Sequence, residues 1–406
     1  MQIEYIPLEQ LGFVGRGKSK HRPRNDESLY GGDYPFIQTA DVKKAELYIR
    51  EYSQTYNEKG LAQSKLWPKG TLCLTIAANI ADTAILDMEA CFPDSIIGFI
   101  ADETKVNVKY VKYFYSLFQR NLQKISQGAA QDNLNLEKLL MYPIPCPSLN
   151  VQNRIVGVLG TIDDLLVCNS DLIDRHKLMV EKLYHEWFIN FKFPNHEQVE
   201  FFDGIPDGWE LKSVSELTQL ISRGITPKYN DESGKSIVIN QKCIRDNKLN
   251  LELARRQDKE ISDSKLVQKG DVLINSTGAG TLGRVTQVHE DLPDTTVDTH
   301  VTIVRPLQAI SSAWFGAAIS NLESYIETLG EGATNQLELK REVISRIDLV
   351  CPAMDIQNQF QKIVEPMQQQ ILNLMKQNTH LLKLKETLLP RLMSGELDVS
   401  KLSSIG

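Results

Sequence analysis

The chain has 406 residues, 42% of them apolar and 24% charged, which suits a soluble protein with two or three globular cores. A net charge of −7 excludes a strongly basic coat for nucleic acid, though not a local basic patch. No apolar run reaches the roughly 18 residues of a membrane span, and Met1–Pro7 lacks the basic and apolar stretches of a secretory signal.

In chain order, the first feature is Gly12-Phe-Val-Gly-Arg-Gly-Lys-Ser19, which fits the phosphate-loop pattern G-x-x-x-x-G-K-[ST]. Such a loop needs a buried strand before it and a helix after it. Tyr5–Gln10 is no buried strand, and Pro23 argues against a helix, so nucleotide binding is not expected. The same stretch carries Arg16, Lys18, Lys20, Arg22 and Arg24 with no acid between Gln10 and Asn25. A basic Gly/Pro-containing loop suits contacts to phosphate or a DNA groove. Pro93-Asp94 followed by Glu103-Thr-Lys105 loosely resembles a metal-dependent nuclease pattern, in which two carboxylates and a lysine hold Mg²⁺.

Thr71–Ile76, Asp271–Asn275 and His300–Val304 read as strands; Val111–Phe118 and Ala313–Ile319 read as helices. Further on, apolar residues recur at Ile155, Leu159, Ile162, Leu166, Ile173, Val180, Leu183 and Trp187. A second series runs Ile356, Phe360, Ile363, Met367, Leu374, Leu381, Leu384 and Leu388. Spacings of 3, 4 and 7 argue for two long coiled-coil helices. Asn150 and Asp355 are the expected N-caps. Pro366 should kink the second helix or split off its first turns, and Pro390 and Gly395 should mark its end. Asn169, His176, Gln370 and Gln377 sit on the seams as register-setting polar residues. After the first helix, Pro194–Gly208 forms a short polar connection.

The chain also repeats itself. Pro147–Asn153 matches Pro352–Asn358 at an offset of 205, and Cys146 and Cys351 precede them. Asn25–Ser28 matches Asn230–Ser233, Lys69-Gly70 answers Lys269-Gly270, and Gly128-Ala129 answers Gly332-Ala333. Matches in this order imply a tandem duplication of a unit of about 200 residues, too long for a solenoid. The first helix, at about 40 residues, would span about 60 Å. The second buries its seam by returning antiparallel along it. The expectation is a dumbbell of α+β class with an approximate two-fold axis. Six cysteines lie far apart with no C-x-x-C, which reads as reduced thiols in a cytoplasm. Seven histidines form no metal-ligand spacing, and no adenine-methyltransferase or hydrolase motif is present.

Several segments resemble the specificity subunit of type I restriction–modification enzymes. Lys18–Asp26, Leu29–Gln38 and Cys91–Ser95 look like one type of first target-recognition domain. Lys269–Arg284 resembles a segment of many such domains, and Glu186–Phe191 and Leu388–Leu397 are similar to the ends of the two spacer helices. The first repeat departs from the second in lacking the Gly208-Trp209 lead-in, so its first strand should be shorter.

The resemblance implies two homologous α+β target-recognition domains, 1–147 and 206–350, separated by two long antiparallel coiled-coil helices, 148–194 and 351–397, with a tail at 398–406. It implies a non-catalytic subunit that reads a bipartite double-stranded DNA site, with the helices as ruler and platform. Two methyltransferase subunits would bring S-adenosylmethionine, and restriction/translocase subunits would bring ATP and Mg²⁺. This chain itself would hold no cofactor, metal or catalytic residue. By residue type and loop position, Gln38, Thr39 and Asn79 in the first domain are candidate base readers, with Gln241, Lys242, Asn275 and Thr277 in the second. The five basic residues from Arg16 to Arg24, with Arg223 and Lys228, are candidates for phosphate or guanine. A free-standing nuclease and a structural coiled-coil adaptor are the other readings.

Overall fold

The computed structural model describes residues 3–21, 23, 26–76, 81–126, 142–332 and 337–399. Arg22, Arg24, Asn79 and Gly128-Ala129 lie outside them. The chain forms two compact units. One comprises Met1–Cys168 with Gln377–Gly406, the other Asn169–Lys376. Each therefore contains one globular α+β domain and a stretch of each long helix.

The first unit is built on a sheet in which strand Ile96–Ala101 lies between Gly12–Arg16 and Leu72–Thr75, followed by Thr83–Leu86 and Tyr48–Ile49. A second sheet pairs Tyr30–Phe36 parallel to Ala90–Cys91 and antiparallel to Gln54–Tyr56. The second unit repeats this plan. Val301–Pro306 lies between Thr218–Arg223 and Val272–Asn275, followed by Val285–Gln287. Ser236–Ile239 runs parallel to Thr295–Val297 and antiparallel to Arg255–Gln257. The duplication read from the sequence is thus a duplication of topology.

The strands read from apolar runs are in place, Leu72–Thr75 and Val272–Asn275 shortened by a residue at one or both ends and Val301–Pro306 starting one residue later and running two further. They are apolar on both faces because both are covered. Leu72 and Leu74 face a core with Tyr110 and Tyr113 of the helix behind, while Cys73 packs with Trp67 and Phe92 on the other side. Besides four helices of six residues or fewer, the helices are α1 (Thr39–Lys44), α2 (Val108–Ser126), α3 (Leu149–Tyr184), α4 (Ser312–Asn321) and α5 (Met354–Met393) among the described residues. The first strand is indeed shorter in the first unit, Glu4–Ile6 against Glu210–Ser213.

The repeated motif after Cys146 and Cys351 owes its glutamine to packing. Gln152 is 1% exposed and Gln357 is 2% exposed. Each side chain donates to the carbonyl of the motif's own proline, Pro147 at 2.9 Å and Pro352 at 2.8 Å. Each also accepts from a backbone N–H at the start of a domain helix, Asn107 at 3.0 Å and Ser311 at 3.0 Å. Two buried backbone groups per unit are satisfied this way, and each long helix is tied to its domain. Gly70 and Gly270 match as well, with φ of +87° and +95° in the turns before Leu72–Thr75 and Val272–Asn275.

The long helices differ from expectation in several places. Asn150 and Asp355 do not cap them. Both lie inside the first turn, where the N–H groups of Gln152 and Gln357 bond back to Ser148 and Ala353. Helix α5 runs unbroken through Pro366, whose missing N–H is tolerated on an exposed face. It also continues past Pro390, and ends where Gly395 turns to φ +78°. The seam of α5 is not a regular heptad. Ile363 and Leu384 are 40% and 47% exposed, Gln370 and Gln377 are exposed, and Val364 and Leu389 take the buried places. The reason is that α5 packs on bulky domain side chains, not on one helical neighbour alone. On α3, Ile155, Leu159, Ile162, Leu166, Ile173 and Asn169 are buried as expected.

Helix α3 ends at Tyr184 and is followed by a π-turn, His185–Ile189. That turn swings Trp187 and Phe188 into the second unit's core. Phe188 meets Phe360 at 5.0 Å and Trp209 at 5.8 Å, so the Gly208-Trp209 lead-in completes an aromatic cluster. The polar connection folds into a small hairpin, Phe201–Phe202 with Ile205–Pro206, turned by Asp203 and Gly204 at positive φ.

Candidate nucleic-acid interface

In the second unit, three of the segments singled out by sequence meet at one end of the central sheet. Strands ending at Arg223 and Asn275 flank Val301, where the third begins. The N–H of Gly224 bonds to Val301 O at 3.3 Å and that of Ile225 to Val297 O at 3.0 Å. Asn275 Nδ2 donates to Gln241 O at 3.0 Å, bringing the Gln241-Lys242 turn alongside. Gly278, Gly280 and Gly283, all at positive φ, fold the loop after Asn275, and Arg284 holds it by donating to Gly280 O at 2.7 Å.

This placement sorts the candidates. Asn275 is fully buried and spends its amide on Gln241 O, so it positions the loop and cannot reach a base. Arg223 is likewise committed. It donates to Leu339 O at 2.9 Å and Thr299 O at 3.4 Å and pairs with Glu338 at 2.9 Å. It organises the loops and is not poised for phosphate. Lys228 and Lys242 are exposed, and Gln241 is half-buried. Thr277 is half-buried, with its hydroxyl 2.6 Å from His300 Nδ1. His300 is exposed and was missed by the sequence reading, which took it as the first residue of a strand. Beneath it, burial pushes the Asp298 carboxyl up from the ordinary range, although the His300 N–H donates to it at 2.9 Å.

The first unit repeats the backbone ties residue for residue. Gly17 N–H bonds to Ile96 O at 2.9 Å and Lys18 N–H to Phe92 O at 3.0 Å, as Gly224 and Ile225 do in the other unit. Arg16 donates to Asp94 O, as Arg223 does to Thr299 O. The shared Arg-Gly pair is structural. A Cβ on Gly17 would lie 2.3 Å from Pro93 O, and one on Gly224 would lie 1.9 Å from Val297 O. Of the basic residues that follow, Lys20 is exposed and Lys18 half-buried. Gln63 Oε1 accepts from Lys20 N–H at 2.6 Å, and Ser64 donates to Lys18 O at 2.8 Å. His21 pairs with Asp26 at 2.7 Å, and the hydrogen bonds of Ser28, then of His21, hold that carboxyl down at about 2. Gln38 and Thr39 are half-buried at the start of α1, with Gln38 Nε2 on Gln54 Oε1 at 2.9 Å.

The two catalytic-looking patterns dissolve. Gly12–Arg16 is a strand and no helix follows, so the phosphate-loop match has no phosphate cradle. Asp94 and Glu103 lie beyond opposite ends of the six-residue strand Ile96–Ala101, about 20 Å at strand rise, and Lys105 pairs with Asp102 at 3.2 Å. Among the described residues no group of side chains could hold a metal ion, and no helix is long and apolar enough to cross a membrane. All six cysteines are free thiols, five of them buried.

Known proteins share this architecture. Residues 3–174 match the family described as the type I restriction modification DNA specificity domain. The MjaIX specificity subunit of Methanocaldococcus jannaschii is 26% identical over 97% of this chain and 93% of its own length. The HindI specificity subunit of Haemophilus influenzae is 25% identical over 95% of this chain and 98% of its own. The crystal structure of a type I restriction–modification S subunit from M. genitalium superposes with a TM-score of 0.63 at 16% identity, covering 97% of this chain and 96% of that one, and so shares the fold. With the duplicated units and these likenesses together, the chain is similar over nearly its whole length to type I restriction enzyme specificity subunits, and its residues 3–174 match their DNA specificity domain.

Proposed function

We propose that this chain is the non-catalytic subunit that gives a type I restriction–modification enzyme its DNA sequence specificity. Each unit reads one half of a bipartite duplex site through the loops at the end of its central sheet. The observation that carries this reading is the pairing of matching backbone ties with different side chains at the same sheet end. In one unit Lys18 and Lys20 follow the tied Arg-Gly pair and Gln38 follows Ile37, whose N–H bonds to Cys91 O; in the other Gln241, Lys242 and Thr277 border Asn275, with Lys228 further along the loop after Gly224. A scaffold kept constant under divergent polar loops is what two independent readers need.

The partners in this reading are double-stranded DNA, two methyltransferase subunits and restriction/translocase subunits. The methyltransferases bring S-adenosylmethionine, the translocase brings ATP and Mg²⁺, and the assembly works in the cytoplasm. A net charge of −7 fits such a chain, because much of the phosphate neutralisation comes from the assembled complex. The test is to exchange residues 206–350 for another recognition domain and map modified bases in cells carrying the hybrid. One half-site changes and the other stays. Change in both halves refutes independent reading.

A further inference from the structure

The loop that precedes the second strand of each central sheet is fixed in the same way in both units, yet it presents a different side chain. In the second unit the His300 carbonyl accepts from Ser276 N–H at 2.8 Å. In the first, the Ser95 carbonyl accepts from Ile76 N–H at 3.0 Å. The preceding carbonyls, Thr299 O and Asp94 O, are both held by the equivalent arginines, Arg223 and Arg16. Sheet register fixes the equivalence. Arg16 faces Ile97, which faces Leu74; Arg223 faces Thr302, which faces Ile274. Ser95 and His300 each lie two residues before those central positions.

We propose that His300 and Ser95 are matching specificity positions, each reading a base edge in its own half-site. This rests on the DNA-reading assignment above. His300 is exposed but is not loose. Its N–H is tied to Asp298 at 2.9 Å, its carbonyl to Ser276, and its ring Nδ1 to the Thr277 hydroxyl at 2.6 Å. A residue whose backbone is held at two points and whose exposed ring is held at a third, through Nδ1, is preorganised for a directional contact through Nε2. The Thr277 hydroxyl can donate or accept, so it sets whether Nε2 presents a proton or a lone pair. Either form matches a group on a base edge in the major groove. Ser95, half-buried at the equivalent place, offers a hydroxyl able to donate or accept there. A half-buried arginine stands beneath His300 and an exposed one beneath Ser95. Both act on the loop carbonyls, so the charge serves the loop and leaves reading to the side chain above it.

The experiment uses the chain assembled with its methyltransferase subunits, comparing wild type with His300→Ser, Thr277→Val and Ser95→Ala. Modified-base maps are read together with binding to duplexes varied one position at a time. His300→Ser lowers discrimination about tenfold at one position of the second half-site, within the range of a single base contact. Thr277→Val weakens the same position by releasing the ring. Ser95→Ala affects one position of the first half-site only. The dependence of binding on salt stays as in wild type, since no phosphate contact is lost. Discrimination unchanged at every position in His300→Ser overturns the proposal. So does a uniform loss on all duplexes with a shallower salt slope, which makes His300 a backbone contact. A wild-type complex without sequence-selective binding overturns the underlying DNA-reading assignment, before any variant is compared.

Discussion

In the first unit both long helices and the domain meet at one carboxylate. Asp163 of α3 accepts from Tyr113 of α2 at 2.6 Å and is paired with Lys385 of α5. The Asp163 side chain is 7% exposed and that of Lys385 19%, so the pair is largely out of water. Lys112 is buried beside them, and burial followed by the charge of Lys385 pushes its pKa down to about 8. Removing one member of a buried pair strands the other, at about 3–5 kcal/mol. For Lys385→Met we expect the lower end, about 3 kcal/mol, because Lys112 remains to offset the carboxylate. Asp163→Leu leaves two cations without their anion and should cost as much or more. Tyr113→Phe removes one hydrogen bond to a charged acceptor, about 1.5–3 kcal/mol. The double variant Asp163→Leu/Lys385→Met removes both charges and should be more stable than either single variant. Urea unfolding followed by hydrogen exchange separates the units, which need not unfold together. With a urea dependence of about 3 kcal/mol per molar, Lys385→Met moves the first unit's midpoint down by about 1 M and leaves the second unit in place. A shift below about 0.3 M, or a double variant weaker than both singles, refutes the argument that the pair is held by mutual compensation.

Gln357→Ala leaves Ser311 N–H and Pro352 O unsatisfied in the interior and should destabilise the second unit by about 2–4 kcal/mol, while Gln152→Ala does the same to the first unit; unit-resolved hydrogen exchange checks both. His289 titrates in the opposite sense to a paired histidine. Burial first, then the charges of Lys177 and Lys269, push it from 6.5 down to about 4. The unfolded chain therefore takes up a proton below about pH 6.5 while the folded unit does not, so this stabilisation is complete above that pH and is lost as pH falls toward 4. Between pH 7.5 and 5 the loss is about 2 kcal/mol, and urea midpoints of wild type against His289→Asn show it as a difference in slope.

The duplication, the α+β class, the central strands and the two long helices were all legible in the residues. Apolar periodicity and repeated short motifs are local properties, and the chain carries them twice. What the residues could not show was which polar groups would be consumed by the fold. Arg16, Arg223 and Asn275 have the chemistry of DNA contacts, yet the loop carbonyls they hold come from segments about 80 residues away, or 34 for Asn275. Only the tertiary structure brings those carbonyls within reach. The same applies to His300, unremarkable at the start of an apolar strand until Thr277 closes on its ring. Pro366 breaks a helix by local rule, and the packing of α5 overrides it. The repeated glutamine marked the duplication, but its role emerged only when a domain helix from about 45 residues upstream presented its first N–H to each copy. Local pattern determined the elements and their order; long-range hydrogen bonding, which no sequence spacing encodes, decided which polar side chains are spent on holding the loops and which stay exposed on them.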